Sequence, residues 1–308
     1  MTRVAAVVCG TNSIRLLVTD VTGRHKVDLH REMRIVRLGE GVDRTGRLGE
    51  AALERTRLAL TDYAGVTRDL GVERVRMVAT SATRDAGNRL MFSRMVQDVL
   101  GVEPEVVSGD EEAALSFDGA TRDLPPELGP FVVADIGGGS TEVVLGGASV
   151  TAAVSVDVGC VRLTERHLTA DPPTREQVEA ARTDVHRALD RVAAAVPVHE
   201  ARTFVGLAGS VTTVAGIALG APEYDRDRIH GARVPAAQVS RVCGELLAMT
   251  RAERAALPVM HPGRVDVIAA GALILAALME RFDLTEVLVS EADILDGIAW
   301  SATKESAR

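Results

Sequence analysis

The chain has 308 residues, 46% of them hydrophobic, and carries a formal net charge of −8. That length suggests about two domains, each with enough apolar residues to build a core. The acidic balance argues against a general nucleic-acid binder, so any polyanionic partner must be held by local cationic patches.

Aromatic residues make up only 3% of the chain, so aliphatic packing must dominate. The apolar run from Val267 to Met279 is shorter than the roughly 20 residues of a membrane span. The N-terminal apolar stretch is too short for a secretory signal. Cys9, Cys160 and Cys243 are odd in number, widely spaced and without metal-ligand spacing, which fits a reduced, cytoplasmic protein. Lys26 and Lys304 are the only lysines. The arginine forks that replace the rest suit phosphate, and a compositional bias of the source genome explains the same count.

In chain order, Val4 to Val18 (VAAVVCGTNSIRLLV) reads as strand, Gly-hydroxyl turn and strand. Arg74 to Thr80 reads as a strand that runs into Ala79-Thr-Ser-Ala-Thr-Arg-Asp85, with a helix expected from Asp85 to Leu100. Arg84 then falls in a first helical turn, where the macrodipole disfavours a cation. A bound phosphate reverses that cost, and an ion pair with Asp85 or another acid does so equally well. Ser108-Gly-Asp-Glu-Glu-Ala113 reads as an N-cap with Glu111 as its capping-box partner, opening a helix from Glu111 to Ala120. On the residues alone this structural reading is preferred. The functional reading gives Glu112 the proton of an attacking water. Thr121 to Pro130 holds three prolines and a glycine and reads as a linker, dividing the chain into 1–122 and 123–308.

Phe131 to Leu145 (FVVADIGGGSTEVVL) is the most informative segment, a buried strand, a turn of three glycines and a second strand. Gly137, Gly138 and Gly139 lack a Cβ, so backbone N–H groups can close on an anion. Asp135 and Glu142 flank the turn, suited to holding a divalent cation or orienting a water. Setting Gly10 on Gly137 also sets Ser13 on Ser140, an offset of 127 residues (137 − 10). Two such copies suggest two similar halves facing each other across a cleft, each supplying one phosphate-binding turn. The same register sets Asp135 on Val8, which cannot bind metal.

Farther along, Thr174-Arg-Glu-Gln177 resembles a capping box opening an amphipathic helix to about Ala195. Thr203 to Leu207 reads as a strand, with Gly206 to Thr213 turning through Gly209 and Ser210 into a helix from Val211 to Leu219. That turn binds an anion at a helix start or merely packs strand on helix. His230 and His261 adjoin Gly231 and Pro262 and read as turn residues. Arg264 to Phe282 reads as a buried helix and Val287 to Ser290 as a last strand. Alternating strands and helices in both halves define an α/β fold. There is no P-loop and no His/Cys cluster for zinc.

Taken together, Cys9-Gly-Thr-Asn-Ser-Ile-Arg15, Thr80-Ser-Ala-Thr-Arg84, Ser108-Gly-Asp-Glu-Glu-Ala113 and Asp135-Ile-Gly-Gly-Gly-Ser-Thr-Glu142 resemble the exopolyphosphatase and guanosine pentaphosphate phosphohydrolase family. The similarity runs on through Gly206 to Thr213, Met260-His-Pro-Gly-Arg-Val-Asp266 and Ser290 to Gly297, and matches the short two-domain members. The resemblance implies the actin and sugar-kinase type of fold, two ribonuclease-H-like domains around a central cleft. It implies Mg²⁺-dependent release of terminal phosphate from inorganic polyphosphate, or of the γ-phosphate from guanosine pentaphosphate. Glu112 matches the family's catalytic base, and Asp135 and Glu142 its metal and water-positioning acids. Gly10, Thr11, Asn12, Ser13 and Arg15, with Gly137, Gly138, Gly139, Ser140, Thr141 and Arg84, match its phosphate grips, and Gly209 and Ser210 join them as substrate contacts. The family carries aspartate where this chain has Val8, so weakened catalysis on an unchanged fold is expected. Competing readings are a guanosine pentaphosphatase, a polyphosphate-binding protein without turnover, and a small-molecule kinase of the same superfamily. No nucleic-acid or membrane partner is expected, and a homodimer is compatible with the family.

Overall fold

The computed structural model describes residues 1–303, so Lys304 lies outside them. The elements in order are β1 (Thr2–Cys9), β2 (Ser13–Thr22), β3 (His25–Ile35), α1 (Val42–Thr45), α2 (Glu50–Asp69), β4 (Arg74–Ala79), α3 (Ser81–Asp85), α4 (Arg89–Leu100), β5 (Glu105–Val106) and α5 (Gly109–Thr121). They continue with β6 (Phe131–Ile136), β7 (Thr141–Gly146), β8 (Val150–Val156), α6 (Cys160–His167), α7 (Arg175–Ala195), β9 (Thr203–Leu207), α8 (Ala208–Ala218) and α9 (Arg226–Ile229). The last are β10 (Arg233–Pro235), α10 (Ala236–Ala248), α11 (Arg251–Ala255), α12 (Ile268–Arg281), β11 (Glu286–Val289) and α13 (Ile294–Ser301).

Two compact units form, Met1–Gly119 together with the chain from Ile294, and Ala120–Asp293. The division expected after Arg122 thus falls three residues earlier, and the C-terminal helix groups with the first unit instead of the second. The reason is hydrophobic. From Val4 to Cys9, strand β1 is an unbroken apolar run buried on both faces, as a central strand must be. Its Ala5, Val7 and Cys9 pack with Leu60, Tyr63 and Phe92 of α2 and α4. Its Val4, Ala6 and Val8 face a different cluster, made with Leu115 of α5 and Ile294, Leu295, Ile298 and Trp300 of α13. Gly297 lets α13 reach the α5 backbone, since a Cβ there would stand 2.0 Å from the Leu115 carbonyl oxygen. A buried ion cluster ties the same helix to β3. The Asp296 carboxylate accepts from Lys26 Nζ at 2.7 Å and Arg31 Nη2 at 2.6 Å. Burial pushes the Asp296 carboxyl up, but the charges and hydrogen bonds of Arg31 and Lys26 outweigh it and hold it below the usual range.

The internal repeat is real at the level of hydrogen-bond register. The first sheet has the order β3-β2-β1-β4-β5, and the second, read from β8, runs β8-β7-β6-β9-β11 with β10 added. In each, an antiparallel hairpin precedes a strand that pairs parallel to its first member, and a further parallel strand beyond that one. Val8 lies opposite Arg15 in the first hairpin and Asp135 opposite Glu142 in the second, each pair displaced by the same 127 residues (135 − 8 and 142 − 15). Each unit is therefore a ribonuclease-H-like α/β domain, the fold class expected from the sequence.

Three expected helices differ in extent, each for a local reason. The helix expected over 85–100 starts four residues late, as α4 at Arg89, and Asp85 ends the separate short α3. Asn88 takes the Leu48 N–H on Oδ1 at 2.8 Å and donates Nδ2 to the Leu48 carbonyl at 3.0 Å, a side chain competing with the helix for backbone. The helix expected from Arg264 starts at Ile268, because the buried Arg254 claims the Val265 carbonyl at 3.1 Å. Before it, Pro262–Arg264 forms a 3₁₀ turn capped by His261, whose Nδ1 accepts the Gly263 N–H. Conversely α8 begins three residues early, at Ala208, whose φ of 68° turns strand into helix within one residue. The capping box of α7 forms as expected between Thr174 and Gln177. Cys9, Cys160 and Cys243 are buried and unbridged, and burial raises all three thiols, Cys243 to about 11, leaving them poor nucleophiles. Among the described residues no helix is long and apolar enough to cross a membrane.

Candidate active site

Both glycine-hydroxyl turns are built alike. Gly10 N–H donates to Ser13 O at 2.9 Å, and Gly137 N–H to Ser140 O at 3.0 Å. The chain that follows the third strand then takes up the turn's carbonyls. In the second unit, Gly137 O accepts the Cys160 N–H, and Gly138 O accepts those of Val161 and Arg162. Gly139 O accepts Arg162 Nε at 2.8 Å. A trans peptide points its N–H opposite its C=O, so the N–H groups of Gly138, Gly139 and Ser140 all face away from α6. None has an acceptor among the described residues. Three such amides in succession make a nest for an anion. In the first unit Gly39 N–H takes Thr11 O, and the Val36 and Arg37 N–H groups take Asn12 O, turning the Asn12 and Ser13 amides outward by the same rule.

Close approach is what makes this possible, and it rests on two glycines that sequence reasoning missed. A Cβ on Gly159 would stand 2.5 Å from the Gly138 carbonyl carbon, and one on Gly39 would stand 2.2 Å from Thr11 Cγ2.

Around the first turn the structure gathers most of the residues expected there. Thr11 and Ser81 share a hydrogen bond of 2.9 Å between their hydroxyls, and Thr80 N–H donates to Cys9 O. Arg84 sits in the last turn of the short α3, not at the start of a long helix. Its Nη1 donates to Val107 O at 3.1 Å and to Glu112 Oε2 at 3.0 Å. The acid that pairs with it is thus Glu112, from a motif 28 residues on. Glu112 is 7% exposed. Ser108 caps α5 as expected, its Oγ accepting the Glu111 N–H, while the Glu111 side chain pairs with Arg76.

In the second unit Asp135 and Glu142 face each other across the hairpin, 8% and 1% exposed. Ser155 Oγ donates to Glu142 Oε1 at 2.6 Å, fixing that carboxylate. Thr141 is fully buried, and its hydroxyl donates inward to Val158 O at 2.6 Å. Gly209 underlies the Arg264 guanidinium, whose atoms would stand 2.4–2.5 Å from a Cβ there. A cation at the start of α8 is unfavourable by itself and favourable once an anion is held there. Arg264 Nη1 also donates to Thr213. Gly206 serves close packing, against Val287 and Val211. His230 and His261 serve as turn residues, each accepting a backbone N–H on Nδ1.

The donor set fits Mg²⁺, which keeps several waters and takes one or two carboxylates from a protein. Asp135 and Glu142 supply hard oxygens, and the described residues contain no group of three His, Cys, Asp or Glu that would suit a softer, fully caged ion. Val8, 2% exposed in an apolar cluster, contributes nothing to a metal.

Paired ribonuclease-H-like units with amide nests and flanking carboxylates define a phosphohydrolase of the actin and sugar-kinase class. The model of the Ppx/GppA phosphatase family matches residues 17–305, and the chain belongs to that family. It is 53% identical to exopolyphosphatase 2 of Mycobacterium tuberculosis over 314 aligned residues, covering 98% of both chains. A crystal structure of an exopolyphosphatase-like protein is 40% identical, covers 97% of each chain and superposes with a TM-score of 0.95. The Aquifex aeolicus PPX-GPPA enzyme is 32% identical with a TM-score of 0.81, over 97% of this chain and 99% of the other.

Proposed function

We propose that this protein is a cytoplasmic exopolyphosphatase that releases terminal phosphate from inorganic polyphosphate with Mg²⁺. The observation that carries the reading is the pair of outward-facing amide nests, one of them beside the opposed carboxylates Asp135 and Glu142. The identity to a mycobacterial exopolyphosphatase over nearly the whole chain supports this substrate over guanosine pentaphosphate.

Glu112 takes the proton of the attacking water, its carboxylate oriented by Arg84. The amides of the glycine turn beside Asp135 and Glu142 offset charge on the equatorial oxygens of the phosphoryl group in flight. Asp135 and Glu142 would hold Mg²⁺, which when bound would neutralise phosphate charge. Gly209, Ser210 and Arg264 grip more of the polyanion.

The test is phosphate release from short and long polyphosphate with Mg²⁺, comparing the natural chain with Val8→Asp. Turnover by the natural chain confirms the reading. Turnover only by Val8→Asp means that Val8 disables an exopolyphosphatase scaffold. No release from either overturns it and leaves guanosine pentaphosphate hydrolysis or simple binding. The replacement carries a cost of its own, because a carboxylate placed among Val4, Leu115 and Trp300 destabilises the first unit.

A further inference from the structure

The two phosphate turns are held by different means at one corresponding peptide. In the first unit, the Asn12–Ser13 peptide is anchored by main chain, through the Val36 and Arg37 N–H groups. Any residue but proline at 36 and 37 would leave those donors in place. In the second unit, the equivalent Gly139–Ser140 peptide has no main-chain donor. Its carbonyl is held by the side chain of Arg162, through Nε at 2.8 Å.

This asymmetry bears on anion binding because of what glycine permits. Gly137, Gly138 and Gly139 let the turn form, but a peptide flanked by glycine also rotates easily. Each peptide of the nest therefore needs an anchor on its carbonyl to keep its N–H on the anion side. Cys160 N–H anchors the Gly137–Gly138 peptide, and Val161 and Arg162 N–H anchor the next. The N-terminal amides of α6 are used up in doing so, so the start of that helix is not itself the anion site. Only the third peptide, which carries the Ser140 N–H, depends on a side chain.

We infer that Arg162 is a positioning residue for phosphate, acting through the Gly139–Ser140 peptide and not by its charge. This deepens the proposed function and rests on it for the identity of the anion. The guanidinium Nε is bonded to Cδ, and so is the amide nitrogen of glutamine. Arg162→Gln therefore keeps an N–H donor at the same bond count from the backbone and removes the charge. Arg162→Met removes both.

The experiment measures kcat and KM for tripolyphosphate in the full chain and both variants, with thermal melting alongside. Equilibrium binding of tripolyphosphate without turnover is measured by calorimetry. A lost oxyanion-hole donor costs up to about 10²–10³-fold, and a peptide that flips only part of the time loses less. The expected result is a roughly 10–100-fold fall in kcat/KM for Arg162→Met, with Arg162→Gln within about threefold of the natural chain. Equal losses in both variants would show a charge effect and overturn the inference. A lower melting temperature with unchanged kcat/KM would show a merely structural bond and overturn it too. If Arg162→Met does not fold, Arg162→Gln decides alone, since a large loss there refutes a role through the Nε donor. If the natural chain binds tripolyphosphate without hydrolysing it, the proposed function fails, while the order of the two variants in binding still decides the role of Arg162.

Discussion

Replacing Gly159 by alanine isolates the contact on which the second phosphate turn depends. Gly159 has φ −146° and ψ 165°, extended backbone that any residue adopts, so no conformational strain accompanies the change. The added methyl would lie 2.5 Å from both the carbonyl carbon and oxygen of Gly138 and 2.6 Å from Gly139 N. Ordinary contact begins at 3.4 Å, so turn and helix must separate by about 0.9 Å (3.4 − 2.5). All three obstructing atoms are backbone of the nest itself, and no side chain can rotate out of the way. Misplacing a reacting group by about 1 Å costs on the order of 10²-fold in rate, and overpacking costs roughly 1–3 kcal/mol of stability. Gly159→Ala should therefore lower kcat/KM for polyphosphate on the order of 100-fold while the protein still melts cooperatively. Gly244→Ala, at a helical glycine with open space around its Cβ position, is the matched control and should leave the rate unchanged. A folded Gly159→Ala protein with the rate constants of the natural chain would refute the argument that this contact sets the turn.

The first turn offers the complementary case, because the methyl of Gly39→Ala would meet the Thr11 side chain instead of backbone. Gly39→Ala should impair polyphosphate hydrolysis, and adding Thr11→Ser, which removes Cγ2, should restore part of it in steady-state assays. Glu112→Gln should lower kcat by roughly 10²–10⁴-fold with little change in melting temperature, the signature of a general base. Acid should unfasten α13. Asp296 is held below the usual carboxylate range when folded, so its contribution is present above the unfolded value of about 3.9 and is lost as pH falls through the folded value. Trp300, the single tryptophan, lies in that helix and its fluorescence reports the change. Asp296→Asn should destabilise by about 3–5 kcal/mol at neutral pH in urea unfolding, and by less as pH falls through the folded value.

What the sequence made legible was local. Gly10 to Ser13 and Gly137 to Ser140 are contiguous, so one offset exposed both turns, and the register later confirmed it. Thr174 and Gln177 lie one helical turn apart, and their capping box could be read directly. Gly39 and Gly159 were not legible, because their role is a contact with turns far away in sequence. They also break the offset, standing 120 residues apart (159 − 39) against 127 for the turns. Strands β2 and β3, with 10 and 11 residues, are longer than β7 and β8, with 6 and 7, and shift everything downstream. Arg162 gave no signal either, since a carbonyl acceptor leaves no mark on composition. The Arg84–Glu112 pair joined two motifs that sequence had weighed separately.

Because α13 completes the first unit, the order of synthesis and the order of burial run in opposite directions. Strand β1 is made long before α13, yet the face carrying Val4, Ala6 and Val8 takes much of its apolar cover from residues 294–300. A nascent chain therefore carries an open hydrophobic sheet face while all of Ala120–Asp293 is being made. The second unit has no such debt, since its core cluster lies wholly within its own span. A chain that stops short of Ile294 would thus have the whole core of the second unit but a first unit without α13, and losing that helix would expose one face of β1.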